Sequence, residues 1–140
     1  MPAFRVLVVD DHPVNRTIGA EVFQYLGCAV TTAANGYQAL ELMRQGTFDL
    51  VCLDRNMPGL SGDELVLQLP AHQFVAAWST ETTDLPARFD STLSKPLSVA
   101  AAANAIVEAV AANGIPFSRS DRRARPSAPV QTESLHRSCA

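Results

Sequence analysis

The sequence predicts an α/β fold in which a parallel five-stranded sheet is covered by helices on both faces. Short apolar runs rich in β-branched residues alternate along the chain with segments whose apolar residues recur at helical spacing. Several of these runs end in carboxylate or hydroxyl side chains, which is typical of buried parallel strands that open onto a polar edge. The chain has 140 residues, 47% of them hydrophobic, which is enough for one domain with a core.

The first half of the chain contains two predicted strands and two predicted helices. Residues 4–9 (FRVLVV) form the first strand, and the helix that follows begins at Pro13 and stops at Gly27. Residues 28–33 form the second strand, and the second helix is capped by Asn35. The residues of the first helix that we expect to face inward are Val14, Ile18, Val22, Phe23 and Leu26.

The second half continues the alternation with one interruption. The ten residues after Trp78 (STETTDLPAR) lack an apolar stripe and contain Pro86, so a fourth helix before the last strand is predicted to be short or absent. The remaining elements are strands at 48–53, 74–78 and 88–93, a short helix from about Ser61, and a final helix over 98–112.

Composition excludes several classes of protein. No apolar run is long enough to span a bilayer and the N-terminus lacks a signal-peptide pattern, so we expect a cytoplasmic protein without membrane insertion. The three cysteines (Cys28, Cys52 and Cys139) are odd in number and lack metal-ligand spacing, which argues against a disulfide framework or a zinc site.

Polar side chains follow four of the five predicted strands, and the carboxyl ends of parallel strands form the usual ligand site of such a sheet. Neighbouring carboxylates repel one another unless a cation joins them, and hard oxygen ligands suit Mg²⁺. An aspartate can take a phosphoryl group, whose oxygens a lysine and a hydroxyl can bind. A helix cap for the acidic pair and a solvated surface charge for the chain's only lysine are the alternatives. The residues are Asp10 and Asp11, Asp54, Ser79 and Thr80, and Lys95.

Three motifs make residues 4–112 resemble the receiver domain of bacterial two-component response regulators. They are the acidic pair Asp10-Asp11, the turn Asp54-x-x-Met57-Pro58-x-x-x-Gly62, and Lys95-Pro96. The resemblance implies a flavodoxin-like, doubly wound receiver domain over residues 1–115. It also implies a signalling phosphoprotein rather than an enzyme, with a histidine kinase or histidine phosphotransfer protein as partner.

The resemblance assigns roles to matching positions. Asp54 is expected to be the phosphoacceptor, with Lys95 on the phosphoryl group and Ser79 as the switch hydroxyl. The expected Mg²⁺ ligands are Asp10, Asp11, Asp54 and the main-chain carbonyl of Asn56. The chain departs from the family pattern at Thr92, where an aromatic residue is usual three positions before the lysine. The shortened spacing between Ser79 and Lys95 is a second departure, and together they predict that the output face of ordinary receivers is altered in this chain.

The last part of the chain, residues 116–140, differs in charge from the rest. Residues 1–115 carry 12 acidic and 6 basic side chains, a net charge of −6, whereas residues 116–140 carry 5 basic and 2 acidic ones, a net charge of +3. Prolines and serines replace large apolar residues there, so we expect a flexible basic tail that is disordered until a ligand binds. The tail contains a cluster of basic residues mixed with one acid and one serine, namely Arg119, Ser120, Asp121, Arg122, Arg123 and Arg125.

Guanine chemistry explains a carboxylate within an arginine cluster. The O6 and N7 atoms of guanine accept a bidentate arginine, and its N1–H and N2–H₂ groups donate to a carboxylate. Arginine also stacks on purines and binds phosphate, so cyclic di-GMP, alone or as an intercalated dimer, fits the cluster. The Arg119-x-x-x-Arg123 spacing on a single receiver resembles the Cle group of CheY-like cyclic di-GMP effectors. That resemblance implies a flagellar motor switch partner and control of motility, chemotaxis and surface attachment.

Other interpretations of the tail remain open. His136 and Arg137 are placed to close over a phosphate or a guanine, although a free chain end is an equal alternative. The tail is incidental if the protein is a stand-alone receiver that takes phosphate from a kinase. Binding to DNA or RNA is not expected, because the arginine run is short, contains an acid and lacks an aromatic stacking platform.

Overall fold

The computed structural model describes residues 3–80 and 84–113, and these form five strands and four α-helices. The predicted arginine-rich tail lies outside the described residues. The elements are β1 (Arg5–Val9), α1 (Pro13–Tyr25), β2 (Ala29–Ala33), α2 (Gly36–Gln45), β3 (Leu50–Asp54), α3 (Gly62–Leu65), β4 (Val75–Ser79), β5 (Ser91–Ser94) and α4 (Val99–Asn113), with a 3-10 turn over Val66–Gln68.

All five strands are parallel, in the order β2-β1-β3-β4-β5. The strand order reverses between β1 and β3, so the loops after these two strands leave toward opposite faces and a crevice opens at their carboxyl ends. The α/β fold with a doubly wound parallel sheet is therefore confirmed. β3 and β4 are buried along their whole lengths, which explains their nearly continuous apolar sequence.

The sheet separates two apolar cores, because successive side chains of a strand point to opposite faces. Val6 and Val8 of β1 belong to a core that also contains residues of α1 and α4. Leu7 and Val9 belong to the other core, with residues of α2 and α3. The doubly covered sheet holds its strand ends rigidly, which fixes the polar residues that follow them.

The segment between β4 and β5 contains no helix among its described residues, Thr80 and 84–90, as the sequence analysis predicted. The last strand begins later than predicted, at Ser91, because the preceding residues make a turn. The Phe89 N–H donates to the Pro86 carbonyl at 3.2 Å. The Asp90 carboxylate accepts the Val75 N–H at 2.8 Å, so it joins this turn to the start of β4.

The prediction that Val14 faces inward is wrong, since this side chain is 61% exposed. Val14 lies in the first turn of α1, which begins four residues after the end of β1. Phe23 is buried as predicted, together with Gly19, and the predicted Val22 and Leu26 are partly buried against the same core. Cys28 and Cys52 are both buried. None of the described helices is long and apolar enough to cross a membrane.

Candidate functional site

Three carboxylates meet at the carboxyl edge of the sheet. One oxygen each from Asp10, Asp11 and Asp54 lies within 4.8 Å of the others. Asp10 and Asp54 are buried, whereas Asp11 is exposed to solvent. The structure therefore brings together the acidic residues that the sequence places after the first and third strands, in the crevice where the strand order reverses.

Asp10 is held by hydrogen bonds to the end of β2 and to the start of α1. Its N–H donates to the Ala33 carbonyl at 3.1 Å, which extends the pairing with β2. Its Oδ1 accepts the His12 N–H at 2.8 Å, and its carbonyl accepts Nη1 of Arg16 at 2.8 Å. These contacts link the carboxylate to the start of α1. The bond to the His12 N–H is an Asx turn rather than a helix cap, because His12 is the N-cap residue of α1 and no side chain caps that helix. The same carboxylate also belongs to the shared acidic pocket.

Asp54 is the last residue of β3 and is positioned by the turn that follows it. Its Oδ1 accepts the Asn56 N–H at 3.1 Å, and the Gly62 N–H donates to the Arg55 carbonyl at 3.0 Å. A Cβ on Gly62 would lie 2.0 Å from the Asp54 carbonyl oxygen, so a glycine is required for the turn to pack this closely. Met57, in the middle of the turn, is buried in the core.

Lys95 joins the two buried carboxylates. Its Nζ lies 2.8 Å from Oδ2 of Asp10 and 3.4 Å from Oδ1 of Asp54. The Lys95 N–H donates to the Ser79 carbonyl at 3.3 Å, which fixes the start of the loop after β5 beside the end of β4. The lysine side chain is only 17% exposed, so the alternative of a solvated surface charge is excluded.

Burial raises the pKa of Asp54 from 3.8 to about 6. This pKa is the net result of burial and the charge of Asp10, which raise it, and of the Asn56 N–H and the ammonium of Lys95, which lower it. At neutral pH Asp54 is therefore ionised yet more basic than an ordinary aspartate. Burial also raises the pKa of Cys52 well above its usual range, so this thiol, two residues before Asp54, stays protonated.

The other predicted site residues lie around this pocket with different exposures. Ser79 is buried at the end of β4, and Thr80 after it is exposed. Asn56 is exposed. Thr92 on β5 is also exposed. The residues predicted to bind cyclic di-GMP, from Arg119 to Arg125 and at His136 and Arg137, lie outside the described residues.

Two residues that sequence reasoning did not assign to the site lie beside it. Arg55 pairs with Asp63 at 3.0 and 3.1 Å and donates to the Asp84 carbonyl at 3.1 Å, so it ties the turn after Asp54 to the segment before β5. The ring centroid of Trp78 lies 5.0 Å from Nζ of Lys95. Neither contact follows from strand-end position, because each joins residues on different elements.

The donor set fits Mg²⁺. Three carboxylates that converge within 4.8 Å, with one of them open to solvent, offer hard oxygen ligands and leave room for water. Such carboxylate clusters are a feature of oxygen-bound divalent cations rather than of soft metals.

Comparisons with known proteins agree with this arrangement. The family model of the response regulator receiver domain matches residues 6–107. The virulence sensor protein BvgS of Bordetella pertussis is 34% identical, over 89% of this chain and 11% of BvgS. The chain thus spans about a tenth of the length of that relative.

Solved structures with the same fold include two proteins that the chain matches over almost their whole length. The chemotaxis protein CheY4 of Vibrio cholerae is 25% identical with a TM-score of 0.72, covering 78% of this chain and 100% of CheY4. The response regulator TrrA of Thermotoga maritima, solved in complex with Mg(2+)-BeF, is 29% identical with a TM-score of 0.70, covering 76% of this chain and 98% of TrrA. The chain belongs to the response regulator receiver domains of two-component signalling, a family whose acidic pocket typically binds Mg²⁺.

Proposed function

We propose that this receiver domain takes a phosphoryl group on Asp54 from a histidine kinase or a histidine phosphotransfer protein. The observation that carries the proposal is the geometry of Lys95, whose ammonium lies between the carboxylates of Asp10 and Asp54. A buried, ionised aspartate beside a fixed cation is suited to nucleophilic attack followed by neutralisation of the new charge. As in other receivers, the protein acts as a signalling phosphoprotein.

The transfer uses few groups. A carboxylate oxygen of Asp54 forms a bond to the phosphorus of the phosphohistidine, the P–N bond breaks, and its electron pair returns to the imidazole nitrogen. Oδ1 of Asp54 is held by the Asn56 N–H, so the carboxylate keeps one orientation. Lys95 and the Ser79 hydroxyl are the candidates to bind the phosphoryl oxygens. Mg²⁺, held by Asp10, Asp11, Asp54 and the Asn56 carbonyl, would neutralise negative charge at the transferred group.

Incubation of the full chain with acetyl phosphate and Mg²⁺ tests this proposal. We expect a phosphorylated species to form. It should not form when EDTA is present from the start, nor in the Asp54→Asn variant. Asp49→Asn is the matched control. Asp49 directly precedes β3, at the end of the strand opposite to Asp54, and its carboxylate accepts the Arg5 N–H. Phosphorylation that survives in Asp54→Asn would contradict the assignment.

We further propose that the tail over residues 116–140 binds cyclic di-GMP and that the liganded protein engages the flagellar motor switch. Two observations favour this second function. The arginine cluster includes Asp121, which a site for phosphate alone does not need. The output side of the domain is also altered, because no described residue between β4 and β5 is helical and Thr92 replaces the usual aromatic residue. Both functions belong in the cytoplasm.

Calorimetric titration of the full chain with cyclic di-GMP tests the second function. We expect Arg119→Ala, Arg123→Ala and Asp121→Ala each to weaken binding at least tenfold, since each removes a charged group that pairs with guanine or phosphate. Asp54→Asn should bind as the unchanged protein does. Absence of heat with the full chain would contradict the proposal. Displacement of cyclic di-GMP by mixed oligonucleotides, with a steep salt dependence, would instead indicate nucleic-acid binding.

A further inference from the structure

Trp78 is the only tryptophan of the chain and lies beside the candidate phosphorylation site. It is 1% exposed and precedes Ser79 on β4. In the sheet Trp78 is paired with Leu93 of β5. Lys95 comes two residues after Leu93, so the lysine leaves the sheet edge on the same face as the indole.

The fold makes room for this large ring. A Cβ on Gly19 of α1 would come within 3.3 Å of the Trp78 ring and 3.0 Å of Val8. Trp78 and Val8 belong to the same apolar core, which also contains Leu93 and residues of α4. The indole is therefore held from several sides, and its position is fixed by packing rather than by polar contacts.

The packed ring faces the cation of the site. Nζ of Lys95 lies 5.0 Å from the Trp78 ring centroid and 2.8 Å from Oδ2 of Asp10. A cation within about 6 Å of a tryptophan face is attracted to it, and the attraction grows where water is excluded. It depends little on the direction of the N–H bonds, so the ammonium can turn from a carboxylate to a phosphoryl oxygen without losing it.

We propose that Trp78 is a positioning residue that holds Lys95 over Asp54, an inference that rests on the proposed phosphorylation of Asp54. The ring, rather than the indole N–H, performs this task. Within residues 3–80 and 84–113 the buried Nε1–H has no hydrogen-bond acceptor. A tryptophan kept for its donor would be expected to have one.

Beryllofluoride, a mimic of the phosphoryl group, gives the test. Its affinity for the full chain with saturating Mg²⁺ is measured by ¹⁹F NMR in the unchanged protein and its variants. We expect Trp78→Leu and Trp78→Met, which lack an aromatic ring, to bind about tenfold more weakly, and Trp78→Phe to restore most of the affinity. The matched control is Phe74→Leu, because Phe74 lies in the same core just before β4, about 13 Å along the strand from Trp78.

A double-mutant cycle separates positioning from a general loss of packing. In a Lys95→Ala background, Trp78→Leu should weaken binding no more than Phe74→Leu does. If Trp78→Leu does not fold, the same comparison is made with Trp78→Met. Two results would overturn the inference while leaving Asp54 as the phosphoacceptor. One is a beryllofluoride affinity of Trp78→Leu and Trp78→Met within twofold of that of Phe74→Leu. The other is a loss of affinity on Trp78→Leu that is equal with and without Lys95. If the unchanged protein bound no beryllofluoride, the proposed function itself would fail.

Discussion

The ammonium of Lys95 lies 2.8 Å from a carboxylate oxygen of Asp10, a residue with no exposed surface. A buried charge that loses its partner keeps the cost of its desolvation without the compensating attraction. Removal of Lys95 is therefore expected to lower the stability of the fold as well as to disturb the chemistry of the site.

We expect Lys95→Met to lower the free energy of unfolding by about 2–3 kcal/mol in EDTA, because the buried Asp10 and Asp54 carboxylates then face each other without a cation. Urea unfolding followed by circular dichroism measures the change. Arg44→Met is the control, since Arg44 pairs with Glu41 on the exposed surface of α2 and its loss should cost less than about 0.5 kcal/mol. Equal effects of the two variants would contradict this account of Lys95.

The raised pKa of Asp54 predicts a pH dependence of stability. Burial raises this pKa from 3.8 to about 6, so the folded protein binds the proton more tightly than the unfolded chain does. Ionisation of Asp54 therefore lowers the free energy of unfolding. The loss is complete above pH 6 and disappears when the pH is well under 3.8. Asp54→Asn should be more stable than the unchanged protein above pH 6 without Mg²⁺.

The difference between these two proteins is the quantity to measure, because other groups also titrate. Urea unfolding at a series of pH values should show the advantage of Asp54→Asn narrowing as the pH falls from about 6 toward 3.8. An advantage that is constant, or that grows as the pH falls, would show that the pKa of Asp54 is not raised in the fold.

The close approach of Gly62 to the Asp54 carbonyl predicts a large effect for a single methyl group. An added Cβ would lie 2.0 Å from that backbone oxygen, so the turn after β3 must shift. We expect Gly62→Ala to lower stability by about 2–3 kcal/mol and to slow phosphorylation of Asp54. Gly46→Ala is the control, because a Cβ there meets only the flexible side chain of Arg5, at 3.4 Å. Similar stability losses in both variants would be evidence against a packing constraint at Gly62.

Asp11 is exposed, unlike its neighbour Asp10, which allows metal binding to be separated from stability. We expect Asp11→Asn to leave the Tm in EDTA nearly unchanged and to remove most of the Tm increase that Mg²⁺ causes, because ligand binding stabilises only a protein that binds it. Glu21→Gln, which changes an exposed acid on α1, should keep the full increase. If both variants respond to Mg²⁺ like the unchanged protein, Asp11 is not a ligand.

The order of the elements could be predicted from the sequence. So could the proximity of Asp10, Asp11, Asp54 and Lys95, because residues at or just after the carboxyl ends of parallel strands lie at the same edge of the sheet. The absence of a helix from the described residues between β4 and β5 was also predictable, from Pro86 and the lack of an apolar stripe. These features depend on local pattern and on one topological rule.

Features that depend on packing between elements were not predictable. Val14 has the spacing of a core residue, yet its side chain in the first turn of α1 is exposed. The start of β5 shifts because the Asp90 carboxylate binds the Val75 N–H, fifteen residues away. The contact between Trp78 and Lys95 joins β4 to the residue that follows its neighbour β5, so neither the residue types nor their spacing in the sequence indicates it. The roles of the site residues and the tail over 116–140 stay predictions.

The central claim is that Asp54 is the residue that carries the phosphoryl group. The most direct test phosphorylates the full chain with acetyl phosphate and Mg²⁺, reduces the acyl phosphate with borohydride, and locates the resulting homoserine by peptide mass spectrometry. The account predicts homoserine at position 54 alone, and none when Mg²⁺ is removed. Homoserine at position 10 or 11, or none at any position in a chain that binds Mg²⁺, would contradict it.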